Sequence, residues 1–174
     1  MTKDIDNLIY IEEINIENCI EILKERFETR KIYTKLGQVL ISINPYQYFD
    51  GLENIYNFNN HENVHIFKTL DEIFNKLLEK NQVIIVSGES GSGKTETTKQ
   101  IIHYLNHKVQ SGALLLEKIE ASGLVLEIFG NAATQKNHNS SRFGKFIEVF
   151  YNQKLECMGM KTSVYLLEKT RTLN

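Results

Sequence analysis

Residues 83–102 read VIIVSGESGSGKTETTKQII. Four apolar residues, Val83 to Val86, run into a glycine-rich stretch that closes on Lys94-Thr95, and a helix-forming sequence follows at once. A short and wholly apolar run is the kind of strand that is buried on both faces of a parallel sheet. A helix that starts directly after a loop turns its first N–H groups, which have no acceptor inside the helix, back toward that loop. Such a junction attracts anions. Gly88-Glu89-Ser90-Gly91-Ser92-Gly93-Lys94-Thr95 fits the spacing G-x-x-x-x-G-K-[ST], in which glycines let backbone N–H groups close around phosphate oxygens with no Cβ in the way. Lys94 then reaches the β/γ-phosphates as a point charge, and the Thr95 hydroxyl ligates Mg2+. The blander alternative is a Gly/Ser turn ahead of an ordinary helix. The apolar run before the stretch and the helix after it favour a phosphate loop at residues 88–95.

The flanking sequence supplies the rest of an α/β pattern. Residues 65–79 place Ile66, Phe67, Leu70, Ile73, Phe74, Leu77 and Leu78 on one face of a helix. Upstream, Ile20, Leu23 and Phe27 recur at helical spacing within 17–30, and residues 39–43 read as a strand that ends before Pro45, the one proline of the chain. Downstream, ALLLEKIEASGLVLEIFGNA predicts a helical segment interrupted at Ser122-Gly123, its apolar residues belonging to the core. FIEVFYNQKLECMGM and SVYLLEK have strand character, and Asn152-Gln153 lies where the first can turn back into an antiparallel hairpin. A helix, a buried strand and a phosphate loop in succession predict an α/β class.

Composition narrows the function classes. The chain has 174 residues, 41% hydrophobic and 24% charged, with a formal net charge of -2, which suits one globular domain over 1–174. That balance argues against nucleic acid recognised through bulk charge. Cys19 and Cys157 are too few and too far apart for a disulfide framework or a zinc site, so a reducing compartment is expected. Neither a signal peptide nor a membrane span is evident, and a cytosolic protein is expected.

One polar stretch stands out, TQKNHNSSRFGKF at 134–146. Taken alone, that density of Asn, Ser and Gly reads as a solvated loop. Beside a nucleotide site, its hydroxyls, amide, arginine and lysine are groups that can ligate Mg2+, donate to a γ-phosphate and respond to its departure. GESGSGKTETTK at 88–99, followed by LEIFGNAATQKNHNSSRFGKF at 126–146, resembles the myosin motor domain, the first as its phosphate loop and the second as its switch I (137–145). IYTKLGQVLISINPY at 32–46 is similar to the segment presenting the adenine pocket, HIFKTLDEIF at 65–74 to the helix before the phosphate loop, and VYLLEKTR at 164–171 to the strand and turn after switch I. Kinesins share a related loop and an Asn-x-x-Ser-Ser-Arg switch, but the continuation Phe143-Gly144-Lys145-Phe146 is of the myosin type.

The resemblance implies a P-loop NTPase, here an incomplete myosin/kinesin-type central mixed sheet flanked by helices. It implies ATP and Mg2+ as ligands. Lys94 becomes the β/γ-phosphate contact, Thr95 and Ser141 the protein ligands of Mg2+, Ser140 and Asn137 neighbours of the γ-phosphate and the attacking water, and Asn44 and Pro45 the lining of the adenine pocket. In the family Arg142 pairs with a glutamate of an Asp-Ile-x-Gly-Phe-Glu switch II, a motif this sequence does not contain, so Arg142 is expected to be without its carboxylate and ATPase activity to require that segment. Leu52 stands near the position of the family's adenine-side tyrosine, and the loop at 56–63 is shorter than the family's. The function implied is the ATP-binding portion of an actin-based cytoskeletal motor, with actin and the remainder of a motor as partners and a cytoplasmic, cytoskeletal location. Two other readings are a truncated or decayed motor acting as a nucleotide-binding or interaction module, and a stand-alone P-loop NTPase.

Overall fold

The computed structural model of the chain describes residues 4–47, 64–109, 113–133 and 138–169. They fall into two compact units, Met1–Lys76 and Leu77–Asn174. Leu52, the loop at 56–63 and Asn137 lie outside the described residues.

In the first unit a 3-10 turn, Leu8–Tyr10, leads to helix α1, Ile16–Glu28, whose start is capped by Asn15 Oδ1 accepting from the Asn18 N–H at 2.8 Å. Strands β1 (Tyr33–Leu36) and β2 (Val39–Ser42) follow as an antiparallel hairpin around Gly37-Gln38, with Tyr33 opposite Ser42 and Leu36 opposite Val39. Helix α2, Ile66–Asn75, starts at His65, whose Nδ1 accepts from the Phe67 N–H. Leu8, Ile32, Tyr33, Val64, Ile66, Phe67, Leu70 and Phe74 form the buried apolar core of this unit. α2 is shorter than its apolar periodicity predicts. The Lys76 N–H bonds to the Ile73 carbonyl, an i→i−3 contact that tightens and ends the ladder, so Leu77 and Leu78 fall past the helix. The apolar stripe of α1 also differs from expectation. Ile20, Leu23 and Phe27 line an open hollow of about 340 Å³ together with Ile43, and the buried residue of α1 is Arg26.

The second unit contains helices α3 (Lys94–Val109) and α4 (Ala113–Gly130), the short strands β3 (Asn131–Ala132) and β4 (Ser140–Ser141), and the long hairpin of β5 (Gly144–Tyr151) with β6 (Cys157–Tyr165). The hairpin turns at Asn152, as expected. Its side-chain Oδ1 accepts from the N–H groups of Lys154 and Glu156, both at 2.9 Å, which fixes the reversal.

Two expectations fail in this unit. Residues 83–86 join no ladder among the described residues, and Val83 and Ile85 are 76% and 84% exposed, so the run is not a strand buried on both faces. An extended segment is held by the N–H and C=O groups of its neighbours, but the described strands pair only as three two-stranded antiparallel sheets, β1-β2, β3-β4 and β5-β6, and none takes residues 83–86 onto its outer edge. The expected central mixed sheet is therefore not assembled from the described residues. α4, for its part, runs through Ser122-Gly123 unbroken. A glycine costs a helix only about 1 kcal/mol against alanine, less than the good helix formers on either side return. Leu124, Val125, Ile128 and Phe129, expected in the core, are exposed on it.

Candidate functional site

The turn at residues 89–92 leads into α3, which begins at Lys94. Gly91 and Gly93 hold φ of 82° and 92°, conformations that side-chain-bearing residues rarely adopt, and so let the chain curl into the helix start. Gly88 is needed for space. A Cβ there would stand 2.5 Å from Ser92 Oγ and 3.2 Å from Ser92 Cβ, so any other residue would force the Ser92 side chain to shift. The Ser92 N–H bonds to the Glu89 carbonyl, and the Thr97 N–H to the Gly93 carbonyl, the first rung of α3. Lys94 folds back over this turn: its Nζ donates to the carbonyls of Gly88 at 2.8 Å and Glu89 at 2.7 Å. The ammonium thus sits at the mouth of the loop, where the helix dipole and the N-terminal N–H groups also favour negative charge.

The polar segment is shaped by β3 and β4. Asn131 lies opposite Ser141 and Ala132 opposite Ser140, closing the base of the intervening loop. Asn131 Nδ2 donates to Asn139 Oδ1 at 2.9 Å. Ser140 is buried, and its Oγ lies 2.9 Å from Ser90 Oγ, so a hydroxyl–hydroxyl hydrogen bond joins β4 to the glycine-rich loop. Next along, the Arg142 N–H bonds to the Gly130 carbonyl at 2.9 Å, tying the exit of β4 to the end of α4. The Phe143 ring rests on Gly130, where a Cβ would come within 2.2 Å of it. Lys145 lies over the same ring at 5.3 Å and 4.0 Å from Glu127 of α4. Burial pushes its ammonium pKa below the usual lysine range, a trend that Glu127 opposes and Lys99 reinforces.

A sequence profile for the myosin head (motor domain) matches residues 3–174. The chain belongs to the myosin motor-domain family. Among myosins it is 43% identical over 183 residues to unconventional myosin-IXa of Mus musculus, which covers 97% of this chain and 7% of that protein. It is 36% identical to the myosin IC heavy chain of Dictyostelium discoideum, covering 98% of this chain and 16% of the relative, and 39% identical to unconventional myosin-VI of Bos taurus, covering 97% and 14%. The chain thus spans well under a fifth of the length of these relatives.

Of the residues a myosin-type site would use, the structure brings Ser90 and Ser140 into contact and puts Lys94 across the loop. Thr95 is exposed on the first turn of α3, and Ser141 is half-buried in β4. Asn44 and Pro45 belong to the first unit, with Asn44 Oδ1 accepting from the Tyr46 N–H. The expectation for Arg142 is corrected. Its Nε and Nη2 both donate to Glu168 Oε2, at 2.9 and 2.6 Å, so the guanidinium has a carboxylate supplied by this chain. Sequence reasoning passed over Glu168, Gly130 and Asn131, although each lies in a stretch matched to the family. Nothing in their local spacing announces a role, because each acts through a residue distant along the chain or through the space it leaves. Asn131 Oδ1 is moreover buried with no hydrogen-bond partner among the described residues.

Proposed function

We propose that this chain is the ATP-binding portion of a myosin-type, actin-based motor, with a P-loop NTPase site built from residues 88–95 and a switch I at 137–145. The observation that carries the reading is the hydrogen bond between Ser90 of the loop and Ser140 of β4, which joins the two motifs at the start of α3. Two sequence features 50 residues apart have no reason to meet there if each is only a solvated turn. The loop fits a phosphate chain: Gly88 leaves no Cβ in the turn, and Lys94 brings a point charge over it.

The donor set also suits Mg2+. Thr95 and Ser141 offer hydroxyl oxygens, and no group of three or more His, Cys, Asp or Glu residues able to hold a metal occurs among the described residues. A hard ion that keeps its waters and takes phosphate oxygens matches such a site better than a transition metal does. Bound there, Mg·ATP would supply the β/γ-phosphates that Lys94 neutralises. Ser140 and Asn137 would hold the γ-phosphate side, and Asn44 and Pro45 would face the base. Actin and the remainder of a motor are the partners this reading implies, in the cytoskeleton.

The test is a titration of the purified chain with a fluorescent ATP analogue and Mg2+. Lys94→Ala removes the charged donor over the loop, so affinity should fall at least about tenfold, or 1.4 kcal/mol. Equal affinity in the two proteins would sink the assignment.

A further inference from the structure

Arg142 is held from three directions. Its N–H goes to the Gly130 carbonyl, its carbonyl accepts from the Glu168 N–H at 2.9 Å, and its guanidinium lies on Glu168 Oε2. Two of these contacts come from one residue that lies 26 positions further along the chain. The path that delivers Glu168 is costly. β6 ends at Tyr165, and Leu166 then adopts φ of 54° with its side chain 92% exposed. A left-handed leucine costs roughly 1–2 kcal/mol, and an exposed side chain returns almost nothing for it. What the turn achieves is the return of Glu168 to Arg142. The ion pair itself is partly shielded, with Arg142 18% and Glu168 46% exposed.

We propose that Glu168 is a positioning residue for the switch segment. By holding both the guanidinium and the carbonyl of Arg142, it fixes the exit of β4 and so sets where the Ser140 hydroxyl meets Ser90. This inference rests on the nucleotide-site reading above for its consequence, and on the hydrogen bonds alone for its geometry. The Ser140–Ser141 pair is two residues long and has little ladder of its own. Beside the Ser90 hydroxyl, the clamp on the adjacent Arg142 is a restraint it receives from outside α4 and β3.

Glu168→Gln keeps the shape and one acceptor oxygen but removes the charge, and it replaces an exposed side chain, so folding is retained. Two measurements on the 174-residue chain decide the matter. Without nucleotide, amide hydrogen exchange at 140–143 should quicken by about tenfold while exchange along β5 and β6 stays as in the parent chain. With Mg·ADP carrying a fluorescent label, affinity should weaken about three- to tenfold. The charge swap of Arg142→Glu with Glu168→Arg should restore slow exchange at 140–143. Parent-like exchange at 140–143 in Glu168→Gln would overturn the proposal, as would faster exchange spread equally through β5 and β6, which marks a mere hairpin stabiliser. Absence of nucleotide binding by the parent chain would defeat the nucleotide reading, and the exchange experiment would still decide the clamp.

Discussion

Arg26 donates three side-chain hydrogen bonds within the first unit. It is 4% exposed, and its Nε, Nη1 and Nη2 donate to Thr34 Oγ1, Asp4 Oδ1 and the Tyr33 carbonyl. A guanidinium is buried only where such partners offset its lost hydration. Arg26→Leu would remove the donor that reaches the buried Thr34 Oγ1 and the Tyr33 carbonyl, and should lower unfolding free energy by about 2–4 kcal/mol in a urea titration. Asp4 adds a pH dependence of known sign. The hydrogen bond from Lys31 and the charge of Arg26 hold its carboxyl below the usual aspartate range, with burial opposing. A carboxyl whose pKa is lower when folded stabilises the chain fully above its unfolded pKa, and loses that contribution as pH falls through the folded one. Between pH 7 and pH 3 the urea midpoint should therefore drop further in the parent than in Asp4→Asn. A parallel drop in both proteins would remove Asp4 from the acid limb.

At the scale of elements, what could be read from the sequence was what local chemistry decides. α1 begins at an asparagine cap and α3 begins where Lys94 follows the glycine-rich loop, because caps and glycines act within a turn or two. The β5–β6 hairpin reverses at Asn152 for the same reason. The burial of Arg26, the pairing of Arg142 with Glu168 and the exposure of Val83, Ile84 and Ile85 were not legible, since each depends on which distant groups come to hand. The break expected at Ser122-Gly123 overvalued one glycine. No atom stands within 4 Å of a Cβ placed on Gly123, so alanine there meets nothing. Gly123→Ala should raise stability by about 0.5–1 kcal/mol through the helix propensity of α4 alone, measured by thermal melting followed by circular dichroism. A loss of stability would mean that α4 needs flexibility at that point.

Across the whole molecule each unit has buried apolar side chains: Leu8, Ile32, Tyr33, Val64, Ile66, Phe67, Leu70 and Phe74 in the first, and Tyr104 in the second. The unit that carries the glycine-rich loop exposes Val83, Ile85, Leu124, Ile128 and Phe129. Along α4, Leu124, Val125, Ile128 and Phe129 lie within two turns of one another, and exposed apolar surface of that kind marks a contact face or an aggregation liability; under the proposed function it suits the remainder of a motor. The division into two units also bears on how the chain comes apart: two compact units can unfold in separate steps, and a single midpoint then does not describe the chain. Scanning calorimetry should resolve two endotherms, with a summed calorimetric enthalpy larger than the van't Hoff value drawn from either. Mg·ATP at about a hundred times its dissociation constant should raise the transition of the unit that carries the glycine-rich loop, by mass action worth about 2.7 kcal/mol. A single endotherm with matching enthalpies would mean that the two units melt as one, the loop gaining or losing its order only together with the rest of the chain.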